Sequence, residues 1–226
     1  MNWELRVHKR LPQGRGHFEL DLDIQAAAPR LALFGPSGSG KSQTLKMIAG
    51  VQRPDRGRIA VAGELLFDAE ASLSLAPQQR GLGCVFQDHA LFPHLSLRQN
   101  IAFSRVRGWR NPARRFHDPL VEQWIARFGL QAVADQCPLE VSGGQRQRAA
   151  LARALVSSPR ALLLDEPFAA LDQALRRSLR AELAELQAQL KIPLLLITHD
   201  EDDVKALADQ VVTLDQGRVA SITELE

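Results

Sequence analysis

The chain has 226 residues, 45% of them hydrophobic, which is enough for one substantial core and a smaller appended lobe. Its formal net charge at pH 7 is only +2, so the overall charge gives no reason to expect a nucleic acid as partner. The two cysteines, Cys84 and Cys137, have neither metal-site nor redox spacing and are expected to be reduced thiols in a cytosolic protein. No apolar run approaches about 20 residues, so we expect any membrane role to depend on a partner.

The first part of the chain is predicted to form strands. Apolar and polar residues alternate over residues 3–7, 18–24 and 58–67, as in strands with one exposed face. Residues 30–34 (RLALF) are instead typical of a short buried strand. We therefore predict antiparallel strands that flank the strand at 30–34.

A glycine-rich segment follows this strand and matches the phosphate-binding pattern G-x-x-x-x-G-K-[ST]. Its glycines let backbone N–H groups approach phosphate oxygens, Lys41 can reach the β- and γ-phosphates, and the Ser42 hydroxyl can ligate Mg²⁺. A flexible Gly/Ser loop is the alternative, but a strand before and a helical apolar stripe after favour a P-loop. The candidate ATP-binding residues are Gly35, Pro36, Ser37, Gly38, Ser39, Gly40, Lys41, Ser42 and Gln43.

Residues 88–158 are predicted to form a mostly helical lobe, because strand patterns are missing until residue 161. Asp118 and Pro119 are a helix N-cap followed by proline in the first turn. An arginine-rich stretch over residues 105–116, around Trp109, favours a solvated loop over a nucleic-acid or lipid-facing patch.

Residues 141–145 (VSGGQ) lie within this lobe and are a second candidate anion-binding helix start. Ser142 can cap the helix, and Gly143 and Gly144 leave its N–H groups unobstructed. Gln145 follows them in the first turn of the same helix. An ordinary glycine-rich helix start is the alternative.

The last third of the chain is predicted to be α/β. Residues 161–164 and 193–197 are continuously apolar, as in central parallel strands, and leucines between them share one face of a helix that Asp172 can cap. Asp165 and Glu166 then lie at the end of a buried strand, where Asp165 could hold Mg²⁺ and Glu166 could polarise water. Residues 211–220 are predicted to form a hairpin with Gly217 in the left-handed conformation.

These motifs occur in the order found in the ATPase subunits of ABC transporters, which the whole chain resembles. The segments that carry the resemblance are residues 35–42, Gln87, 141–145, 162–167 (LLLDEP), 170–172 (ALD) and 198–200 (THD). The resemblance implies one ABC ATPase domain over residues 1–226. Residues 1–87 and 159–226 would form a P-loop NTPase core of the α/β class with a flanking antiparallel β-subdomain, and residues 88–158 an inserted α-helical subdomain that carries the signature motif.

The resemblance also assigns roles to residues. Gln87 is similar to the glutamine that ligates Mg²⁺ and senses the γ-phosphate, although a buried structural amide is the alternative. His199 resembles the switch histidine that holds the γ-phosphate and the attacking water, and Glu166 and His199 are the candidate catalytic residues. Asp172 resembles the D-loop aspartate, and Ser42, Gln87 and Asp165 are the candidate metal ligands. The acidic run at 200–203 is expected at the surface or in caps.

Two positions depart from the family pattern. The signature begins with Val141 where leucine is usual, an apolar change that should be tolerated. The family generally stacks adenine on an aromatic residue upstream of the P-loop, but the region around Leu11 offers only His17 and Phe18. Phe18 lies in an alternating strand and is expected in the core, so nucleotide selectivity is expected to be relaxed.

By resemblance, the chain is the ATP-hydrolysing motor of an importer that uses ATP and Mg²⁺. It would work as a head-to-tail dimer, in which signature residues Ser142, Gly143, Gly144 and Gln145 of one subunit face ATP on the other. Transmembrane permease subunits, and indirectly a solute-binding protein, would be its partners on the cytoplasmic face of the inner membrane. An apolar cluster of Leu91, Phe92, Pro93 and Leu95 would contact the permease, with ordinary lobe core as the alternative.

The solute is indicated only by similarity over residues 63–103 to molybdate-type importers, with thiamine-type and sulfate-type importers as alternatives. A DNA-repair ATPase would need a long coiled coil before the signature, and a small-molecule kinase would not need residues 141–145. Related ATPases often continue into a C-terminal regulatory domain. We expect no second solute site in residues 1–226, and hydrolysis that is insensitive to molybdate.

Overall fold

The computed structural model describes residues 1–14, 16–106, 111–114, 116–169 and 171–225. Its strands are β1 (Trp3–Gln13), β2 (Gly16–Ala26), β3 (Arg30–Phe34), β4 (Arg56–Val61), β5 (Glu64–Asp68), β6 (Leu73–Ser74), β7 (Leu82–Val85), β8 (Ala161–Asp165), β9 (Leu194–Thr198), β10 (Gln210–Asp215) and β11 (Arg218–Glu224). Its α-helices are α1 (Lys41–Ala49), α2 (Leu97–Ala102), α3 (Pro119–Arg127), α4 (Gly143–Leu155), α5 (Gln173–Leu190) and α6 (Glu201–Leu207).

The strands form one sheet in the order β6-β5-β4-β1-β2-β11-β10-β3-β9-β8-β7. Strands β10, β3, β9, β8 and β7 pair in parallel, and every residue of β8 and β9 is buried. The prediction of central parallel strands from their continuous apolar runs is therefore confirmed. Phe34 pairs with Thr198, and Asp165 with Ile197, so these three strands end at the same edge of the sheet. Whatever follows them in the chain is brought together there.

The N-terminal strands form the other half of the sheet, where β1, β2, β4, β5 and β6 pair antiparallel. The prediction that these strands flank β3 is wrong, because the hairpin of β10 and β11 lies between them and β3 in the sheet. The two halves meet between β11 and β2, at a single parallel residue pair, Arg218 with Asp21. This contact follows directly after the hairpin turn.

The predicted left-handed glycine of that turn is confirmed. Gly217 has a φ of +82°, and Gln216 before it a φ of +44°. A Cβ atom at Gly217 would lie 2.0 Å from the carbonyl oxygen of Glu19 in β2, so only glycine lets the hairpin approach the antiparallel half.

Between β7 and β8 the described residues form helices and short 3₁₀ turns but no strand. The predicted N-caps are confirmed, since Asp118 accepts hydrogen bonds from the Leu120 and Val121 N–H groups at the start of α3. Asp172 likewise caps α5 by accepting a hydrogen bond from the Leu175 N–H at 3.0 Å. The division into core and helical subdomain remains a prediction. Residues 107–110, 115 and 170 lie outside the described residues, and with them Trp109 and three of the five arginines of the arginine-rich stretch.

Candidate nucleotide-binding site

The phosphate-binding loop lies between β3 and α1 and depends on close backbone packing. Gly35 has a φ of +148°, and a Cβ atom there would lie 2.2 Å from the carbonyl oxygen of Leu214 in β10. The loop can therefore leave β3 only through glycine at this position. Gly40 ends the loop as the N-cap of α1, so the free N–H groups of the first turn of α1 face the loop.

Lys41 is buried inside this loop. Its Nζ atom donates hydrogen bonds to the carbonyl oxygens of Gly35 at 2.7 Å and Pro36 at 2.8 Å. Burial lowers the pKa of Lys41, and the nearby carboxylates of Glu166 and Asp165 partly offset this effect. The ammonium group is thus held at the loop by groups that an entering phosphate can replace.

Ser42 and Asp165 form the second part of the site. The Ser42 hydroxyl donates a hydrogen bond to Oδ1 of Asp165 at 3.1 Å, across the gap between α1 and the end of β8. Burial raises the pKa of Asp165, with a smaller opposing effect of the Ser42 hydrogen bond. Hydroxyl and carboxylate oxygens are hard donors of the kind that Mg²⁺ prefers, so these two residues fit a magnesium ion.

Glu166 and His199 form the third part. Nδ1 of His199 lies 2.7 Å from Oε2 of Glu166, and the two residues follow the neighbouring strands β8 and β9. The Glu166 N–H donates to the Ile197 carbonyl oxygen at 2.9 Å, which fixes its backbone against β9. A carboxylate held beside an imidazole at the edge of a phosphate loop can accept a proton from water.

These parts line one cleft together with Gln87, whose exposed amide makes it available as a further oxygen ligand. The other residues of the cleft are Leu11, Pro12, Phe18, Ser37, Gly38, Gly40, Gln43 and Ala169. The expectation that Phe18 belongs to the core is wrong in part. Phe18 is half-buried and packs against the core, yet it also lines this cleft.

Leu11 and Pro12 line the cleft although no sequence motif identifies them as site residues. Leu11 pairs directly with Phe18 in the hairpin of β1 and β2, which places an apolar wall at one end of the cleft. Residue alternation predicts strands but not which strand end meets the phosphate loop, so these two residues become recognisable only from the pairing of β1 with β2. His17 lies in a neighbouring pocket with Asp215 and Arg218 instead.

The signature residues lie apart from this cleft. Ser142 caps α4 by accepting from the Gln145 N–H at 3.3 Å, and the Gln145 side chain accepts from the Ser142 N–H at 2.9 Å. A Cβ atom at Gly144 would lie 2.8 Å from Leu175, so this helix start packs closely on α5. Among the described residues that line the cleft there is no residue of 142–145, and Asp172 is absent from it as well.

A phosphate loop, two strand-end carboxylates and a neighbouring histidine at the edge of a parallel sheet define a P-loop nucleotide-binding cassette. The family model described as ABC transporter matches residues 19–169. The chain belongs to the ABC transporter family.

Curated relatives are found among import proteins. The chain is 41% identical over 216 residues to the molybdenum import ATP-binding protein ModC of Paramagnetospirillum magneticum, covering 96% of this chain and 58% of the relative. It is 40% identical to the molybdate/tungstate import ATP-binding protein WtpC of Archaeoglobus fulgidus, covering 99% and 87%. It is 42% identical to the spermidine/putrescine import ATP-binding protein PotA of Nitratidesulfovibrio vulgaris, covering 90% and 53%. The chain thus spans little more than half the length of several curated relatives.

Solved structures share the whole fold. The dimeric, post-hydrolysis state of the ATP-binding cassette MJ0796, bound to ADP and Pi, has a TM-score of 0.82 and 25% identity, and covers 100% of this chain and 99% of that one. The cbiO1 protein of Clostridium perfringens, part of the ABC transporter complex cbiONQ, has a TM-score of 0.76 and 27% identity, and covers 98% and 87%. No helix in the described part of this chain has the length and apolar character needed to span a membrane.

Proposed function

We propose that this chain hydrolyses ATP to drive import of a solute through separate membrane subunits. The observation that carries the proposal is the meeting of Lys41, Ser42, Glu166 and His199 in one cleft, beside the buried carboxylate of Asp165. The loop N–H groups and Lys41 would bind the phosphates, and Ser42, Asp165 and Gln87 would hold Mg²⁺. A bound magnesium ion would neutralise phosphate charge.

The chemical step would be assisted by the pair at the strand ends. Glu166 would accept a proton from the attacking water, and His199 would keep the carboxylate and the water in place. A positioned general base of this kind contributes about 10²–10⁴ to the rate.

We propose further that two chains assemble head to tail. Ser142 caps α4 and lies outside the cleft of the same chain. The free N–H groups at the start of α4 can therefore bind a phosphate held in the cleft of a second copy. The relative MJ0796 has been solved as a dimer. Asp172, exposed at the start of α5, would lie at this interface.

The proposed solute is molybdate or a related oxyanion, which is the import function of ModC and WtpC. A polyamine is the second candidate, because PotA is equally similar to this chain. In either case the chain would bind permease subunits as a peripheral protein on the cytoplasmic face of the inner membrane, with a solute-binding protein as an indirect partner.

Hydrolysis is tested with the purified chain, the Glu166→Gln variant and a control, Glu185→Gln, at an exposed position of α5. The wild type and the control should hydrolyse ATP with a rate per chain that rises with protein concentration. Glu166→Gln should bind ATP, hydrolyse none and elute as an ATP-dependent dimer on gel filtration. Hydrolysis by Glu166→Gln at the wild-type rate would remove the proposed role of this residue.

The solute is tested in cells from which the gene for this chain has been deleted. Uptake of molybdate should be lost while uptake of spermidine is unchanged, and the wild-type chain should restore it. The reverse pattern would assign the chain to a polyamine importer.

A further inference from the structure

Glu166 and His199 directly follow the neighbouring strands β8 and β9, and each begins a loop that leads away from the sheet to a helix. Glu166 and Leu171 belong to the connection between β8 and α5, and His199 and Asp200 belong to the connection between β9 and α6. One side chain, Arg176 in the second turn of α5, contacts both loops. It also lines a small cavity with Glu166 and His199, without lining the nucleotide cleft itself.

Arg176 contacts each loop at one residue, which is neither Glu166 nor His199. Its Nη1 atom donates to Oδ2 of Asp200 at 3.0 Å, and its Nη2 atom donates to the carbonyl oxygen of Leu171 at 3.5 Å. Asp200 directly follows His199, and Leu171 ends the loop that Glu166 begins. A planar guanidinium can hold two acceptors in a fixed relative position, which a lysine ammonium cannot do as well.

Asp200 makes two further hydrogen bonds, and its surroundings favour its charged form. Its Oδ1 atom caps α6 by accepting from the Asp202 N–H at 2.8 Å, and its own N–H donates to Oγ1 of Thr198 at 3.0 Å. Burial alone would raise the pKa of Asp200, but the Asp202 N–H and Arg176 outweigh it and hold this pKa below its ordinary value. A shift of Arg176 is therefore passed on to the turn that carries His199.

A second arginine supports the same turn from behind. Arg180 donates to Oδ1 of Asp203 at 2.8 Å, and the other oxygen of that carboxylate accepts from the Thr198 hydroxyl at 2.9 Å. Asp203 is only 3% exposed, so the expectation that the acidic run lies at the surface or in caps is wrong for this residue. Arg180 thus anchors Thr198, whereas Arg176 is the side chain that reaches the loop of Glu166.

We propose that Arg176 is a positioning residue that sets the distance between Glu166 and His199 through Asp200 and Leu171. This inference rests on the proposed ATPase function. Arg176 touches neither the phosphate loop nor Lys41, so its loss should slow the chemical step and leave nucleotide binding intact. A displacement of about 1 Å in a catalytic pair can lower the rate by as much as about 100-fold.

The test compares Arg176→Gln, Arg176→Lys and the control Arg177→Gln, since Arg177 is the next residue of α5 and is exposed. We expect Arg176→Gln to lower kcat by about ten-fold or more, with KM for ATP changed by less than about two-fold. Arg176→Lys should lose less, because it can pair with Asp200 but cannot span both acceptors. Arg177→Gln should behave like the wild type.

Asp200→Asn gives a second test, because asparagine keeps the N-cap of α6 while removing the charge that Arg176 contacts at 3.0 Å and Arg180 at 3.5 Å. If Arg176 acts through Asp200, the double variant should be no slower than the slower single variant. Equal kcat values for Arg176→Gln and the control, a change in KM alone, or additive losses in the double variant would each overturn the inference. If the wild type and the control also fail to hydrolyse ATP, the proposed function itself is wrong.

Discussion

Nδ1 of His199 lies 2.7 Å from Oε2 of Glu166, and the pair exists because β8 and β9 are neighbours that end in register. The histidine side chain is 63% exposed and the Glu166 side chain 17% exposed. Both residues line the cleft. Replacement of His199 removes a contact to the proposed base without disturbing a buried group.

His199→Ala should therefore lower kcat for ATP by as much as about 100-fold, the effect of displacing a catalytic group by about 1 Å, and leave ATP affinity near that of the wild type. Steady-state hydrolysis and equilibrium binding of ATP separate the two effects. His117→Ala is the matched control, because this histidine is 79% exposed and lies outside the cleft. Loss of ATP binding in His199→Ala would instead place the histidine in the binding step.

Magnesium binding should weaken as the pH falls. A carboxylate must lose its proton to ligate Mg²⁺, and burial has raised the pKa of Asp165 above its ordinary value, so competition by protons begins at a higher pH than for an exposed aspartate. The measurement is the Mg²⁺ concentration that half-saturates ATP binding, taken between about pH 8 and pH 5. Asp165→Asn should need more Mg²⁺ and should lose the part of the pH dependence that this carboxyl contributes. Asp135→Asn, at a side chain that is 77% exposed, should follow the wild type. An unchanged profile in Asp165→Asn would exclude Asp165 as a ligand.

Phe18 and the facing Leu11 should hold the base of the nucleotide by contact with its flat face. Phe18→Ala should lower the affinity for ATP by about ten-fold, because contact of a base with an aromatic ring contributes about 1–3 kcal/mol. The affinity for GTP should fall by the same factor, since stacking does not distinguish purines by hydrogen bonds. Phe103→Ala is the control, at an aromatic residue outside the cleft that is 39% exposed. If ATP and GTP affinities respond differently, another group must recognise the base.

Much of this site could be predicted from local sequence because its parts are short motifs. The phosphate loop, the carboxylates after an apolar strand and the caps at Asp118 and Asp172 depend on neighbours within a few residues. The meeting of Glu166 with His199, and of Phe18 with the phosphate loop, depends on strand order. The contacts of Arg176 depend on how α5 packs on two loops. No local pattern contains strand order or helix packing, so these relationships needed the structure.

The apolar cluster after Gln87 should divide into surface and core. Pro93 and the neighbouring His94 are exposed, whereas Leu95 is 3% exposed, and the half-buried Phe92 packs on Phe103 with ring centres 4.4 Å apart. His94→Glu should reduce solute uptake in cells by disturbing permease docking, while ATP hydrolysis by the purified chain stays unchanged. Val51→Glu, at a residue that is 63% exposed, should leave both activities intact. Loss of uptake and hydrolysis together in His94→Glu would show that this surface is needed for folding.

The two cysteines should differ sharply in reactivity. Burial raises the pKa of Cys84 to about 12, only slightly opposed by the positive charge of Arg80, so the reactive thiolate is almost absent near pH 8. A maleimide or an aromatic disulfide reagent should therefore modify Cys137 first, and Cys84 only after unfolding. Mass spectrometry of the Cys137→Ser variant under native conditions is the measurement. Rapid labelling of Cys84 in that variant would show that β7 opens readily.

The single residue pair between β11 and β2 has a consequence for folding cooperativity. The apolar wall of Leu11, Pro12 and Phe18 belongs to the antiparallel half of the sheet, and the phosphate loop belongs to the parallel half. A nucleotide in the cleft would therefore contact both halves and add to the buried core that they already share. A ligand at 100 times its dissociation constant stabilises the folded state by about 2.7 kcal/mol. Here that free energy opposes separation of the two halves, so bound nucleotide should increase the cooperativity with which the two halves unfold.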